Sequence, residues 1–531
     1  MTWTTSLAAA LPGCALALGL LAAPMPAAAQ QQKTLKVVMH ADVRTLDPFW
    51  TTQTIAGIHG MMIYDTLFSS DDKLEPKPQM VESWTVSDDR RTYRFTLREG
   101  LRFHDGSPVT TRDVIASLQR WGKRDGAGRE LMAQTQGLEA IDARTFAWNL
   151  SAPYGLLLDT LAKSGTSVPF IMREKEALVD PFQQIQEAVG SGPFAFKRDE
   201  WVPGSKTVYV RFNDYVPRKE PPSGHAGGKV AKVDRVEFVW MPDPQTAQAA
   251  LIAGEIDFLE NPLPDFLPML ARTPGVKLDT HPAMGTAGII QFNHLHPPFN
   301  DVRARQAMLH VVHMPDFLNT IAADPQLQTV CYSFFGCGVA METDAGSEAY
   351  RAPKDFRKAE ALFRAAGYKG EKITILHATD HQYINPANLV LIQQMRDAKF
   401  LNLDVQAMDW GTVVTRRAKK EPPAQGGWNI FFTSGAGVSS ADPFTNPAST
   451  ACEKAWFGWP CDAEIERLRD AWTREAEPKK QRQILEEVHR QLYEKAIWFT
   501  YGQWFPKTAF RSNLSGVHNS SVRYFWNIKK S

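Results

Sequence analysis

Net charge is nearly absent from this chain: 59 lysines and arginines meet 58 aspartates and glutamates, leaving +1 over 531 residues. Displacing phosphate counterions takes a basic excess, so no nucleic-acid partner is expected. Catalytic signatures are missing as well. There is no G-x-S-x-G, no Walker loop, no H-E-x-x-H and no G-x-G-x-x-G after a strand, so neither an enzyme nor a cofactor is expected. Past residue 29, no apolar run reaches the roughly 20 residues of a membrane span. Cysteine is scarce, with five in all.

At 531 residues the chain exceeds what one hydrophobic core usually supports, which implies two or more lobes. Residues 1–29 differ in kind from the rest. An apolar run at 7–23 leads to Ala27-Ala28-Ala29 before Gln30, the pattern of a secretory signal with an A-x-A cleavage site. No Lys or Arg precedes the run. Leu11-Pro12-Gly13-Cys14 is similar to a lipoprotein cleavage box, but the apolar stretch continues past it to the second site, which favours an exported protein without a lipid anchor. Cleavage removes Cys14. The remaining Cys331, Cys337, Cys452 and Cys461 lie in two close pairs, the arrangement of two local disulfides in an exported protein. A zinc site is the alternative, although C-x5-C and C-x8-C lack the tight C-x2-C form.

Along the chain, 35–40 (LKVVMH) has the character of a first strand, delivering a loop at 41–53 with an Asp47-Pro48 turn and Trp50 in polar company. Residues 55–67 have helical spacing. Residues 92–97 alternate, with Tyr93, Phe95 and Leu97 on one face. Thr110 to Asp113 makes a capping box before a helix carrying Val114, Leu118 and Trp121 on one side. The stretch 431–461 (FFTSGAGVSSADPFTNPASTACEKAWFGWPC) combines Phe, Trp, a Gly/Ser loop and two cysteines, material suited to the wall of a ligand cleft.

The segments SWTVSDDRRTYRFTLREG at 83–100 and FHDGSPVT at 103–110 resemble the signature of the family 5 extracellular solute-binding proteins. These are the dipeptide-, oligopeptide- and nickel-binding components of ABC importers. The likeness extends over the mature chain, through Gly190-Ser191-Gly192-Pro193-Phe194, Ala253-Gly254-Glu255-Ile256-Asp257 and Phe292-Asn293. It continues in PPFNDVRARQA at 297–307. Asp409-Trp410, Trp428-Asn429-Ile430, Cys452 and Cys461 are similar to the dipeptide-binding branch. The resemblance implies an α/β, two-lobed periplasmic-binding-protein fold with a hinge. It implies a first lobe at 30–287 carrying an extra subdomain at about 66–190, a second lobe at 288–500, and a return to the first at 501–531. It further implies a periplasmic monomer that hands its solute to ABC permease membrane subunits, with the ATPase a separate chain.

In α/β lobes, ligands collect where loops converge at strand ends. That places Trp50, Thr51, Thr52 and Gln53, then His377, Asp380, His381 and Gln382, then Ser439, Ser440 and Asp442 at the cleft, with Trp410, Tyr501 and Trp504 as further candidates. Peptide-binding relatives hold the α-amino group with an aspartate three residues before an acidic-Pro pair; Asp442-Pro443 puts Ser439 there. Dipeptide binders hold the carboxylate with an Arg three residues before Asn-Pro; Asn385-Pro386 puts Gln382 there. The cleft is thus expected to offer acidic groups and no arginine, and to take a small polar or cationic solute, peptide-like or amino-acid-derived. His310 and His313 are spaced as metal ligands can be, yet fit as ordinary helix side chains, and no metal is expected. The competing functions are an exported hydrolase using His377, Asp380 and His381, and a non-transport chaperone or sensor module on the same fold.

Overall fold

In the computed structural model, which describes residues 32–280, 284–322, 324–444, 446–475, 477–518, 520 and 522–531, the first strand runs over Thr34–Val38. The expected leader at 1–29, with Cys14, lies outside the described residues. Leu35 and Val37 are fully buried, and the strand pairs in parallel on both sides, with Arg235–Val239 and Phe258–Leu259. An apolar strand covered on both faces belongs at the centre of an α/β sheet. Around it lies a seven-stranded sheet ordered 276–280, 507–511, 258–259, 34–38, 235–239, 206–211, 194–196. Helix Thr54–Ile63 is buried from Ile55 through Ile63, as a helix apolar all round must be.

A second, six-stranded sheet is ordered 328–329, 498–504, 286–292, 430–436, 372–378, 402–408. Lys372–Ala378 lies in parallel between Asn402–Met408 and Ile430–Ala436. The chain passes from one sheet to the other between 280 and 286, and back between 504 and 507. The two crossings touch: Gly285 has φ +49°, and a Cβ there would sit 2.4 Å from the carbonyl oxygen of Trp504.

Both crossings miss the expected boundaries at 287/288 and 500/501 by a few residues. Trp498–Trp504 is buried at all seven positions, so no alternation marks where it leaves the second core. Pro506, which has no N–H to donate to a ladder, stands in the gap before the next strand.

The expectations around 92–113 are met in detail. Thr92–Leu97 is half-buried, and pairs with Val81–Val86 and Thr145–Leu150 in a four-stranded antiparallel sheet within the expected insertion. Helix Thr111–Arg124 begins after Thr110, whose N–H donates to the Asp113 carboxylate at 2.8 Å. Val114, Leu118 and Trp121 are buried on one face. Cys331 pairs with Cys337, and Cys452 with Cys461.

The loop after the first strand is fastened to helix Thr111–Arg124 by one buried ion pair. Asp47 accepts from Arg120 at 2.7 Å, both side chains fully buried, and also from the N–H groups of Phe49 at 3.0 Å and Ile185 at 3.1 Å. Arg120 donates further to the carbonyls of Val179 and Gln183. Removing one partner of such a pair strands the other's charge. Arg120→Met is expected to lower the unfolding free energy by about 3–5 kcal/mol, measured by urea denaturation; a loss under about 1 kcal/mol would show that the loop is held otherwise.

Candidate functional site

The carboxyl ends of the parallel strands of both sheets converge on the seam between the crossings, where α/β sheets bind ligands. From the first sheet come His40, just beyond Thr34–Val38; Thr52, Gln53 and Thr54 at the start of helix Thr54–Ile63; and Glu260 and Asn261, after Phe258–Leu259. From the second come Thr286, His381 and Tyr383, Trp410 and Arg417 at the two ends of helix Trp410–Arg416, and Thr433 to Ala436. Together they enclose a cavity of about 60 Å³. Two larger chambers flank it. One, of about 260 Å³, is lined by Asp380, His381, Gln382 and Asn385 with Trp240 and Leu263. The other, of about 200 Å³, lies between helix Leu157–Leu161 with the residues that follow it and the segment 438–444, lined by Asp159, Lys163, Ser439 and Asp442.

Histidine and carboxylate chemistry marks the first-sheet wall. His40 Nδ1 lies 2.7 Å from the Glu260 carboxylate, which also accepts the His40 N–H at 2.8 Å. Burial opposes ionisation of Glu260, but His40 and its hydrogen bonds prevail and hold the carboxyl at about 2. Opposite, the ring of His381 lies 6.2 Å from that of His40 and 5.3 Å from Trp410. Burial, reinforced by His40, pushes the His381 imidazole down to about 3. Its Nδ1 faces the N–H groups of Ile384 at 3.3 Å and Tyr383 at 3.4 Å, which fits a neutral ring accepting there.

The second-sheet wall holds an arginine, against the expectation of none. Arg417 is 2% exposed, and burial pushes its guanidinium down to about 9. It lies within 6 Å of four rings, those of Trp410, Phe431, Trp456 and Phe457. Three of those rings belong to the stretch 431–461, so its aromatics form a box around a cation. Arg417 follows Trp410 by two helical turns and so shares its face; that spacing was the available signal. The pair Arg416-Arg417 in polar sequence otherwise resembles a solvated surface.

The expected site residues divide. Thr52, Gln53, His381 and Trp410 line the central cavity. Asp380 and Gln382 line the chamber beside it, where the Asp380 carboxylate accepts the Trp410 N–H at 2.7 Å and the Gln382 amide donates to the Pro262 carbonyl at 3.2 Å. Ser439 and Asp442 line the other chamber. Ser439 also packs against Gly165, where a Cβ would come within 2.5 Å of its Oγ.

Trp50, Thr51, Ser440, His377, Tyr501 and Trp504 line none of these cavities. The Trp50 carbonyl accepts from Arg124, Thr51 Oγ1 accepts the Gln53 N–H, and Ser440 is buried in a short 3-10 turn. His377 is a strand-interior residue bonded to Asn385 at 2.7 Å. Tyr501 and Trp504 are core residues of Trp498–Trp504, with the Tyr501 hydroxyl on the Thr433 carbonyl at 3.1 Å. The hydrolase arrangement does not form: His377, Asp380 and His381 each bond elsewhere, to Asn385, the Trp410 N–H and the 383–384 backbone.

Two α/β lobes joined by two adjacent crossings, with polar and aromatic side chains from both converging between them, define a two-lobed solute-binding protein. The chain belongs to the bacterial extracellular solute-binding proteins of family 5: the family model described as "Bacterial extracellular solute-binding proteins, family 5 Middle" matches residues 75–455. A probable peptide ABC transporter periplasmic-binding protein of Sinorhizobium fredii is 39% identical over 504 residues, 94% of each chain. The glutathione-binding protein of Escherichia coli K12 is 27% identical over 442 residues, 81% of this chain and 80% of that one. Among solved structures, the binding protein AgaA in complex with agropinic acid, from A. tumefaciens R10, superposes with a TM-score of 0.77 at 21% identity, covering 94% of this chain and 99% of that one. A dipeptide-binding protein of Pseudoalteromonas sp. SM9913 in complex with Met-Leu superposes at 0.78 and 17%, covering 94% and 100%. These superpositions establish the two-lobed fold.

His381, His59 and His294 are all held at about 3, burial being the largest cause in each. Below the ordinary histidine value of about 6.5, the unfolded chain takes up the proton before the folded one does, so stability falls with pH from about 6.5 to 3. At pH 5 each such ring costs about 2 kcal/mol relative to pH 7.5. Urea unfolding at the two pH values is expected to show that loss, and His381→Gln to reduce it; an unchanged difference in the variant would mean that His381 is protonated in the folded protein.

Proposed function

We propose that the chain is the substrate-binding component of an ABC importer. It captures a small polar solute, peptide-like or amino-acid-derived, between its lobes and delivers it to membrane permease subunits. The observation that carries this reading is the central cavity: its lining comes in comparable shares from both sheets, at the seam where the chain crosses twice. A solute there touches both lobes at once, so it favours the closed arrangement by its greater affinity for it. Contacts across the cleft fit a closed state. Arg44 pairs with Asp409 at 2.9 Å, Lys454 with Glu130 at 2.5 Å, and Gln382 reaches the Pro262 carbonyl.

The S. fredii relative, called a probable peptide ABC transporter periplasmic-binding protein, supports the transport assignment and a periplasmic location. No helix among the described residues is long and apolar enough to cross a membrane.

The protein is expected to carry a solute through purification, which mass spectrometry after denaturation recovers chemically unchanged. Trp410 stands between His381 and Arg417 on the cavity wall. Trp410→Ala is expected to weaken rebinding of that solute by about tenfold, some 1.4 kcal/mol, measured by calorimetry. Conversion of the solute to product during incubation would overturn the binding assignment in favour of an enzyme.

A further inference from the structure

Seven lysines and arginines are buried among the described residues: Arg120, Arg173, Lys229, Arg305, Arg417, Arg469 and Arg523. Six of them meet a carboxylate or a backbone carbonyl. Arg120 has Asp47, Arg173 has Glu176, Lys229 has Asp65 and Arg469 has Glu466. Arg305 donates to the carbonyls of Phe299, Lys495 and Ala496, and Arg523 to that of His518. Arg417 has neither. Among the described residues its guanidinium donates one hydrogen bond, to the Thr52 hydroxyl at 3.1 Å, its Nε is buried with no partner, and no carboxylate pairs with it.

A buried cation without a counter-charge is costly, and proteins avoid it unless something else supplies the negative group. The four surrounding rings offset part of that cost through their negative faces, but a ring face accepts an N–H only weakly and offers no charged oxygen to the guanidinium fork. Arg417 also lines the central cavity, whose other polar groups are uncharged side chains, backbone of 433–436, and the His40–Glu260 pair, in which the carboxylate accepts the His40 backbone N–H and lies 2.7 Å from the His40 ring. At about 60 Å³ the cavity has room for a carboxylate head group, and it adjoins the chamber of about 260 Å³ that shares His40, Asn261 and His381 with it.

We propose that Arg417 is the receptor for a carboxylate of the captured solute, so that the protein selects acids over their neutral counterparts. The inference rests on the solute-binding reading above. A planar carboxylate matches the planar guanidinium fork and supplies the charge that the fold withholds. The position differs from the one that the family resemblance suggested for a carboxylate anchor, which Gln382 occupies. Arg417 instead follows the strand Asn402–Met408, beneath the aromatic box. Thr52, reaching Arg417 from the opposite lobe, makes the fork a point at which both lobes sense the head group.

Ligand-free protein is prepared by unfolding and refolding, and binding is followed by calorimetry and thermal shift with four probes: free-acid dipeptides, the same dipeptides as C-terminal amides, gluconate, and glucose. The wild type is expected to bind at least one acid at least about 100-fold more tightly than its neutral counterpart. Arg417→Met, which keeps an unbranched chain among the rings, is expected to abolish that preference while leaving the melting temperature of the ligand-free protein unchanged or raised, because it removes an unpaired buried charge. Arg417→Lys, a point charge without the fork, is expected to fall between. Binding of an amide or of glucose with an affinity that Arg417→Met leaves intact would overturn the carboxylate receptor while leaving the binding protein standing. A lowered melting temperature in Arg417→Met would overturn it too, by showing the cation to be a structural member of the box. Failure of the wild type to bind any probe or to retain any solute through purification would overturn both readings together.

Discussion

The two adjacent chain crossings constrain everything else in this molecule. Each lobe is built on its own α/β sheet, one of seven strands and one of six. What makes them one binding device is that the polypeptide leaves the first sheet before 286 and re-enters it after 504, at points that touch. Gly285 lies so close to the Trp504 carbonyl that a side chain there would displace it, which fixes the separation of the lobes at the seam while leaving their far edges free to rotate. The carboxyl ends of the central parallel strands all open onto that seam, so the loops with the greatest freedom to vary are those that face each other.

Facing loops still need to be held, and the two lobes do so differently. In the first, Asp47 acts as a buried knot: its carboxylate gathers Arg120 and two backbone N–H groups. The segment carrying Thr52 and Gln53 is thereby anchored to helix Thr111–Arg124 and to the backbone at Ile185. In the second lobe, the segment after Ile430–Ala436 is braced by the Cys452–Cys461 disulfide, by Arg469 donating to the Pro443 carbonyl, and by the packing of Ser439 against Gly165. Rigid backing behind mobile lobes is what allows a small cavity to discriminate.

How much of this was legible in the sequence depended on the range of the interaction. The strand at 92–97 and the capped helix after Thr110 depend on neighbours within a few residues, and alternation and capping rules recover them. Tyr501 and Trp504 looked like cleft aromatics because a strand buried at every position has no period to show which side faces the ligand. His377 failed for a related reason: its partner Asn385 lies on the following helix, and proximity to a strand end does not say on which face a side chain emerges. Arg417 was invisible for the opposite reason. Helical spacing places it on the face of Trp410, but the rings that enclose it lie at 431 and 456–457, and the hydroxyl it touches is 365 residues away. Periodicity tells which side of a helix is turned inward and not what awaits it there.

That blindness bears on how specificity arises in such a fold. The positions at which the family resemblance suggested charged anchors hold Ser439 and Gln382 here, the first packed against Gly165 and the second donating to the Pro262 carbonyl. Charge has not left the cleft; it stands on a different helix, inside an aromatic box that tolerates a cation only partly. A guanidinium so placed is already desolvated before any solute arrives, so the cost of stripping water from it belongs to folding and not to binding. The interaction it then makes is strengthened by the low-dielectric surroundings of the rings, and selective because a neutral group entering the same space leaves the donors as unsatisfied as before.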